Sequence, residues 1–362
     1  MRRYLSLVCF ILFYLEAKSQ VFINEIFVSN GSKDLVIPFY NYLDWVEFYN
    51  SGNSSISLSG YYLSNDLKNL KKFQINSLTI GSKKYACIYL DGLGGGVHAN
   101  FRLDADGGTI YLSKSNGTIV DSLNYFRQPY NYSYGRYPDG SEDKFYFSQP
   151  TRQASNNTVQ ILNGQTLPPI LSKKGGFYNT SVTVEVTDLN PNVKVYYTVD
   201  GSEPTESSYL YTQPLFIEKI TVLRFRSFQE GKIPSNIITN TYFVKSRDFK
   251  LPVVSINTDN KNLFDNKIGI YVEGTNGISG ICYGNANWNQ DWERSANIEL
   301  FDLNKNEQIN QIVGIKIAGG CSRTFPQKSF KIYSRSKYGK GRMHYKFFKE
   351  RDFNEYNSLL LR

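Results

Sequence analysis

The chain is dominated by short segments in which polar and apolar residues alternate, each bounded by glycine, asparagine, aspartate or serine. Examples are Val21–Ile26, Gly108–Leu112 and Ser181–Val186. Alternation places successive side chains on opposite faces of a strand, as a half-buried sandwich strand requires. The 28 tyrosines and 24 phenylalanines favour strands further. Because few segments show the 3.6-residue apolar period of a helix, the sequence predicts a mainly β fold with little helix before its last third.

The first 19 residues have the pattern of a signal peptide. A basic start, Met1–Arg3, precedes an apolar run from Tyr4 to Leu15, and Ala17 and Ser19 provide the small residues of a cleavage site. The run is too short to span a bilayer comfortably. We therefore expect residues 1–19 to be removed, the mature chain to lack a transmembrane segment, and the protein to be secreted or held at the cell surface.

The cysteine and histidine content restricts disulfides and metal sites. Beyond the signal peptide, cysteines remain at Cys87, Cys282 and Cys321. This odd number is not a disulfide framework, although a Cys282–Cys321 bridge is possible in an oxidising compartment. With two histidines and no Cys-x-x-Cys motif, the sequence predicts no protein-ligated metal site.

Residues 20–157 contain a series of strand motifs in a characteristic order. Ile-Asn-Glu-Ile at 23–26 is followed by Asp-Trp-Val-Glu-Phe-Tyr-Asn at 44–50, Gly-Gly-Thr-Ile-Tyr-Leu at 107–112 and Ser-Tyr-Gly-Arg-Tyr-Pro-Asp-Gly at 133–140. This series resembles the lamin tail domain. The resemblance implies an immunoglobulin-like β-sandwich that acts as an accessory module in adhesion or presentation rather than in chemistry.

Two interpretations apply to Asp44, Trp45 and Glu47 in the second of these motifs. An indole flanked by carboxylates can form a sugar site. The favoured alternative is a strand whose tryptophan packs in the core while its acids face water.

A polar linker at residues 158–169 ends in Pro168-Pro169 and predicts a domain boundary. The following segment, 170–244, carries Tyr-Thr-Val-Asp-Gly-Ser-Glu-Pro-Thr at 197–205. It resembles the small β-sandwich at the C-terminus of chitobiase and β-hexosaminidase, which implies an accessory module without catalytic residues. Asp200 and Glu203 are interpreted as residues of one Asp-Gly turn, not as a catalytic carboxylate pair.

Within the last segment, 250–362, the stretch from Gly314 to Arg351 holds a charge as large as that of the whole chain. Between Lys316 and Arg351 eleven Lys and Arg face one acid, Glu350, whereas the whole chain carries +9. Gly314–Tyr333 predicts a strand, a glycine turn at Gly319 and Gly320, and a second strand. A phosphate-bearing ligand at this turn is one hypothesis, and a solvated basic face is the other.

The basic turn does not match two common types of phosphate-binding site. The spacing between Gly320 and Lys328 excludes a P-loop. Basic and aromatic residues do not alternate regularly along a strand, which argues against nucleic acid as a partner.

Several motifs in this segment together resemble the CotH family of spore-coat-protein kinases: Leu251–Ile256, Gly269–Val272, Ile298–Phe301 and Gly314–Ile332. The resemblance implies an α+β kinase-like domain that uses ATP and Mg²⁺ to phosphorylate secreted proteins. It makes Lys328 the candidate ligand of the nucleotide phosphates, assisted by Arg323 and Lys331. Glycines 319 and 320 would allow close approach of the backbone to the phosphates.

Other residues of this segment have less specific roles. Glu293 is a candidate to orient Lys328 through an ion pair, with a surface role beside Arg294 as the alternative. Trp288 and Trp292 are expected to be core anchors rather than a platform for a purine.

The carboxylates that phosphoryl transfer requires are expected beyond residue 362, so this domain is predicted to be incomplete. Glu350, Asp352 and Glu355 are expected to be solvated. The overall expectation is two immunoglobulin-like β-sandwiches followed by an incomplete α+β kinase-like domain. Two functions remain open: a secreted CotH-like kinase that acts when complete, and a non-catalytic surface protein that binds protein or polysaccharide.

Overall fold

A computed structural model describes residues 20–362 except 38, 189, 283 and 349. The predicted signal peptide at residues 1–19 lies outside this range. The chain is mainly β and forms three successive modules, here called the first module (20–162), the second module (170–244) and the third module (250–362). Within the described residues, no helix has the length and apolar character to cross a membrane.

The first module is a β-sandwich with sheet orders β12-β11-β10-β1-β2-β7 and β5-β4-β8-β9, accompanied by the small pair β3-β6. Apolar side chains such as Ile23, Phe48 and Leu112 fill the space between the sheets. A 3₁₀ turn covers Asn156–Thr158. The strands are β1 (Val21–Phe27), β2 (Trp45–Asn50), β3 (Ile56–Ser57), β4 (Tyr62–Ser64), β5 (Phe73–Gln74), β6 (Thr79–Ile80), β7 (Tyr85–Tyr89), β8 (Gly107–Ser113), β9 (Ile119–Phe126), β10 (Ser133–Arg136), β11 (Lys144–Phe147) and β12 (Ile161–Leu162).

The environment of Trp45 is only partly as expected. Its side chain is fully buried, which confirms the core assignment. The expectation that Asp44 and Glu47 face water is wrong, because both are buried. Glu47 lies opposite Glu25 in the β1–β2 register, and Thr151 donates to Glu25 from its amide nitrogen and its hydroxyl. Burial raises the pKa of Glu25 to about 7, and burial together with the neighbouring Glu25 raises that of Glu47 as well.

The second module has the sheet order β13-β19-β18-β15-β16 and a separate pair, β14-β17. Its core contains Val184, Leu223 and Phe225. Asp200 accepts hydrogen bonds from the amide and hydroxyl of Ser202, which confirms its role in a turn. The strands are β13 (Gly176–Tyr178), β14 (Val182–Val184), β15 (Lys194–Thr198), β16 (Tyr209–Leu210), β17 (Leu215–Ile217), β18 (Thr221–Phe228) and β19 (Ile238–Val244).

The third module is organised around an antiparallel sheet in the order β20-β23-β24-β25-β28. Trp288 and Trp292 pack in its core, as the sequence predicts. Short 3₁₀ turns cover Asn287–Asn289, Cys321–Thr324 and Ser336–Tyr338. The elements are β20 (Val253–Asn257), α1 (Asn260–Phe264), β21 (Ile278–Ser279), β22 (Asn285–Ala286), β23 (Arg294–Phe301), β24 (Glu307–Ala318), β25 (Ser329–Tyr333), β26 (Met343–His344), β27 (Glu355–Tyr356) and β28 (Ser358–Leu361).

Candidate functional site

The predicted basic turn lies between β24 and β25. Gly319 follows β24 with a φ of +115°, in the region that favours glycine, and a side chain there would collide with Ser322. Beside Gly320 the space is open. Gly319 is thus required by the shape of the turn, whereas Gly320 leaves its backbone accessible.

Lys328 immediately precedes β25, and its ammonium group forms hydrogen bonds with backbone carbonyls of the basic turn. Its Nζ donates to the carbonyl oxygens of Arg323 at 2.6 Å and Phe325 at 2.9 Å, and it lies 4.0 Å from the ring centroid of Trp288. The side chain is buried, and this burial lowers the pKa of Lys328. The ammonium therefore has neutral acceptors and an aromatic face as partners, and a phosphate-binding role for it stays a prediction.

Glu293 interacts with Arg335 instead of Lys328. Its carboxylate accepts from Arg335 Nε at 3.1 Å and Nη2 at 2.9 Å, and from the Tyr338 hydroxyl at 2.7 Å. Burial opposes ionisation, but the charges of Lys337 and Arg335 hold the pKa of Glu293 below its ordinary value. The structure thus gives Glu293 an ordered bidentate partner and does not bring it to Lys328.

Arg323 contacts Lys328 through its carbonyl, and both Arg323 and Lys331 have side-chain partners of their own. Lys331 is directly opposite Lys316 in the β24–β25 register, and its Nζ lies 4.9 Å from the ring centroid of Tyr333. Arg323 Nε donates to the Gly319 carbonyl at 2.5 Å. Burial and the neighbouring Arg323 and Lys331 charges lower the pKa of Lys316. This face therefore concentrates positive charge, as the composition predicts.

Among the described residues, no group of three or more histidines, cysteines and acids is placed to hold a metal ion. Glu350, Asp352 and Glu355 are exposed, as expected. Cys282 and Cys321 form a disulfide with Cα atoms 5.0 Å apart, which confirms the bridge that the sequence left possible. The disulfide ties the basic turn to the segment before β22.

A second candidate site lies where the three modules meet, and buried polar side chains hold this junction together. Arg294, at the start of β23, is fully buried and donates from Nη2 to the Tyr40 carbonyl at 3.1 Å and from Nη1 to Asn41 Oδ1 at 3.3 Å. Trp292 Nε1 donates to the Phe39 carbonyl at 3.1 Å. Arg294 thus joins the first and third modules, and the Glu293 side chain beside it is only 15% exposed.

Glu299 joins the second and third modules in a comparable way. Its Oε1 accepts from the Thr241 amide at 2.8 Å, and its Oε2 accepts from the Thr241 hydroxyl. Burial raises the pKa of Glu299 to about 7. Nearby, Asn310 Nδ2 donates to the Thr239 carbonyl at 2.9 Å. Complementary groups on β19 and β23–β24 therefore fix this interface.

The first and second modules are joined partly by the predicted linker. Within residues 158–169, Ile161–Leu162 forms β12 at the edge of the first sheet. The Asn163 amide donates to the Gly231 carbonyl at 2.9 Å, and the Thr166 amide donates to that of Ile233 at 2.8 Å. Ser32 in turn donates to Glu203 Oε1 at 3.1 Å. Glu203 is therefore an intermodule contact in addition to a turn residue.

Between the three modules lies a cavity of about 650 Å³, here called the junction cavity, with residues from all three modules in its wall. The wall is rich in amides and tyrosines: Gln128, Tyr130, Tyr146, Gln165, Asn236, Asn297, Asn310, Gln311 and Tyr338. Gln128 is buried, and its Oε1 has no hydrogen-bond partner in the described part of the chain. The cavity thus combines planar amides and aromatic rings with a buried acceptor in its wall that has no partner among the described residues.

Sequence reasoning missed the junction cavity because its wall comes from segments far apart in the chain. Asparagines at the ends of strand segments were interpreted as turn residues, and none of the amide residues carries a local motif for binding. The one available signal was the clustering of amides at 163–165, 236 and 310–311, of which only the first group lies at a module boundary.

Comparison with known families supports two of the three resemblances. Residues 15–127 match the Lamin Tail Domain model, and residues 173–239 match that of the Chitobiase/beta-hexosaminidase C-terminal domain. Neither match reaches residues 250–362, so the CotH resemblance stays a prediction. No curated protein matches the chain. The two matched modules, both β-sandwiches, fit a protein that binds other molecules at a surface.

Proposed function

We propose that this protein is an exported surface-binding protein whose ligand is a polysaccharide held at the junction cavity. The observation that carries the proposal is the cavity itself, about 650 Å³ in volume and lined by all three modules. Ligand pockets of this size accept groups as large as several sugar rings, and they commonly form between domains. The match of residues 173–239 to a module of carbohydrate-active enzymes is consistent with such a ligand.

The chemistry of the wall suits sugars. A pyranose offers hydroxyls that both donate and accept hydrogen bonds, and amide side chains supply both complements. Gln128 Oε1 is an acceptor without a protein partner, and Asn236 is exposed at the rim. Tyr130 and Tyr338, with ring centroids 6.2 Å apart, supply aromatic surface. A ligand rich in hydroxyls matches these groups better than an extended apolar one.

Binding to a panel of immobilised polysaccharides tests the proposal, with the mature chain and two variants. Ser336→Trp places an indole at the cavity wall and should abolish binding, whereas Ser55→Trp on the exposed surface of the first module should leave it unchanged. Far-ultraviolet circular dichroism establishes that both variants are folded. Equal binding by the two variants would place the ligand elsewhere, and a panel without any binding would refute the proposed function.

The basic turn favours a second candidate function, nucleotide binding by a CotH-like kinase domain. Lys328 donates to the Arg323 carbonyl, Lys331 and Lys316 face each other on the neighbouring strands, and Gly320 leaves open space. For Lys328 to hold phosphates, its ammonium must exchange the Arg323 and Phe325 carbonyls for phosphate oxygens. Calorimetric titration with ATP and Mg²⁺ tests this: a Lys328→Met variant that is folded should lose binding. An absence of heat with the unaltered chain would remove this candidate for residues 250–362.

A further inference from the structure

Beside the junction cavity lies a smaller, charged cavity of about 220 Å³, here called the cationic pocket. It is lined by residues of the first, second and third modules. Its ionisable side chains are Lys33, Arg224, Arg226, Lys261, Glu203 and Asp259. The four cations exceed the two carboxylates, so the pocket has a surplus of two positive charges.

The two arginines of β18 are the core of the cationic pocket. Arg224 is 5% exposed and donates from Nη1 to the Gly201 carbonyl at 2.7 Å. Arg226 is 9% exposed and donates from Nε to the Ser235 carbonyl at 2.9 Å. Within the described residues, neither guanidinium forms an ion pair within 4 Å of a carboxylate, and no hydrogen bond is formed by the Nη atoms of Arg226. Buried guanidinium groups are usually paired with an anion.

The carboxylates of the pocket are engaged with other groups. Glu203 accepts from the Ser32 hydroxyl at 3.1 Å, and Asp259 pairs with Lys261 at 3.4 Å. Burial lowers the pKa of Arg224, and the opposing charges of Glu203, Tyr130 and Asp259 do not cancel this shift. The pocket therefore favours an anionic group.

The pocket also offers hydrogen-bond acceptors. Asn257 and Asn262 are buried, and their Oδ1 atoms have no partner among the residues that the structure describes. A simple inorganic anion could compensate the arginines but would give these acceptors no donor. A ligand with both an oxyanion and hydroxyl groups supplies an anion to the two arginines and donors to the two amide oxygens. The volume equals that of about seven liquid water molecules, which is room for one sugar residue.

An open groove of about 840 Å³ leads to the cationic pocket between the first and second modules. The groove and the pocket share Lys33, Tyr132, Thr205 and Arg226. The groove wall carries the amides of Gln149, Gln160, Asn192 and Gln229. A chain lying in this groove would present its side groups to Arg226.

We propose that the cationic pocket binds the carboxylate-bearing residue of an acidic polysaccharide, with Arg224 and Arg226 facing the carboxylate and Asn257 and Asn262 accepting from the sugar hydroxyls. The inference rests on the proposed function, because it assumes that the ligand is a polysaccharide, and it specifies the class as uronic-acid-containing. A charge-assisted contact to each arginine accounts for selection of acidic over neutral chains.

Calorimetry with a tetramer of galacturonic acid and its fully methyl-esterified form tests this selection, since the two share a backbone and differ in charge. The unaltered chain should bind the acid at least tenfold more tightly, the loss expected when a hydrogen bond to a charged group is removed. Arg226→Gln should remove the preference. Lys219→Gln, which deletes a positive charge at an exposed position of the same module, should retain it. Lys33→Gln, at the pocket rim, should weaken acid binding without altering the buried arginines.

Each other outcome has a defined meaning. Equal binding of acid and ester would overturn the inference and leave the proposed function intact. Binding of neither probe, together with no binding on the polysaccharide panel, would refute both. Poly-glutamate binding more tightly than the tetramer would overturn the inference in favour of an acidic peptide, and equal competition by inorganic phosphate would reduce the pocket to a general anion site.

Discussion

The buried carboxylate of Glu299 predicts how the stability of the module interface depends on pH. Its pKa is raised from an ordinary value of 4.5 to about 7, because burial disfavours the charged form more than the hydrogen bonds from Thr241 favour it. The folded state therefore binds more protons than the unfolded state between pH 4.5 and 7. Stability from this group is highest at low pH and is lost as the pH rises through that window.

The size of this pH effect follows from the difference between the folded pKa of Glu299, about 7, and its ordinary value of 4.5. Each pKa unit corresponds to about 1.4 kcal/mol, so ionising Glu299 costs the folded state about 3 kcal/mol above pH 7. A Glu299→Gln variant is neutral at every pH and similar in shape. The free energy of unfolding of the variant minus that of the unaltered chain should rise by about 3 kcal/mol between pH 4.5 and pH 8.

Urea unfolding at several pH values, followed by the fluorescence of Trp288 and Trp292 in the third module, measures this difference. Glu218→Gln is a matched control, because Glu218 is exposed on the second module and forms no described contact with the third. It should follow the pH dependence of the unaltered chain. A difference between Glu299→Gln and the unaltered chain that stays constant with pH would refute the burial of Glu299 at the interface.

Three further perturbations test other parts of the structure. Lys328→Met removes two hydrogen bonds and the contact with Trp288, so the free energy of unfolding measured in urea should fall by about 2 to 3 kcal/mol. Unchanged stability would show that the Lys328 ammonium is exposed to solvent and does not form these contacts. A Cys282→Ser, Cys321→Ser double variant opens a link across 39 residues and should lose about 3 to 4 kcal/mol, whereas thiol titration finding three free cysteines in the unaltered mature chain would contradict the disulfide. Gly175→Ala places a Cβ 3.1 Å from Glu299 Oε1 and the Thr241 backbone and should cost about 1 to 3 kcal/mol in thermal unfolding; a neutral effect would indicate a looser interface.

The strands and their cores could be predicted because the relevant signal is local. Alternation around Trp45 placed the indole in the core, and the aromatic and turn residues of 197–205 identified the second sandwich. The two family matches agree with these predictions. Local alternation and turn residues are sufficient to predict such strands, because one face of each strand must be buried whichever segment packs against it.

The polar sites could not be predicted because their partners come from distant segments. Glu47 looked solvent-facing, but Thr151 and its neighbours, about a hundred residues later, cover it together with Glu25. Arg294 entered the sequence reasoning only as a neighbour of Glu293, because the loop at 39–41 that supplies its acceptors is about 250 residues away in the chain. Charge at 316–351 indicated a basic face, yet sequence spacing alone gave no sign that Lys328 would bind two backbone carbonyls.

The central claim is that the three modules together form one binding site, and hydrogen exchange in the presence of a saturating polysaccharide tests it most directly. Slower exchange is predicted at residues 128–130 of the first module, 236–239 of the second and 310–312 and 336–340 of the third, all on the wall of the junction cavity. Protection confined to the outer face of a single module, with these segments unchanged, would contradict the account.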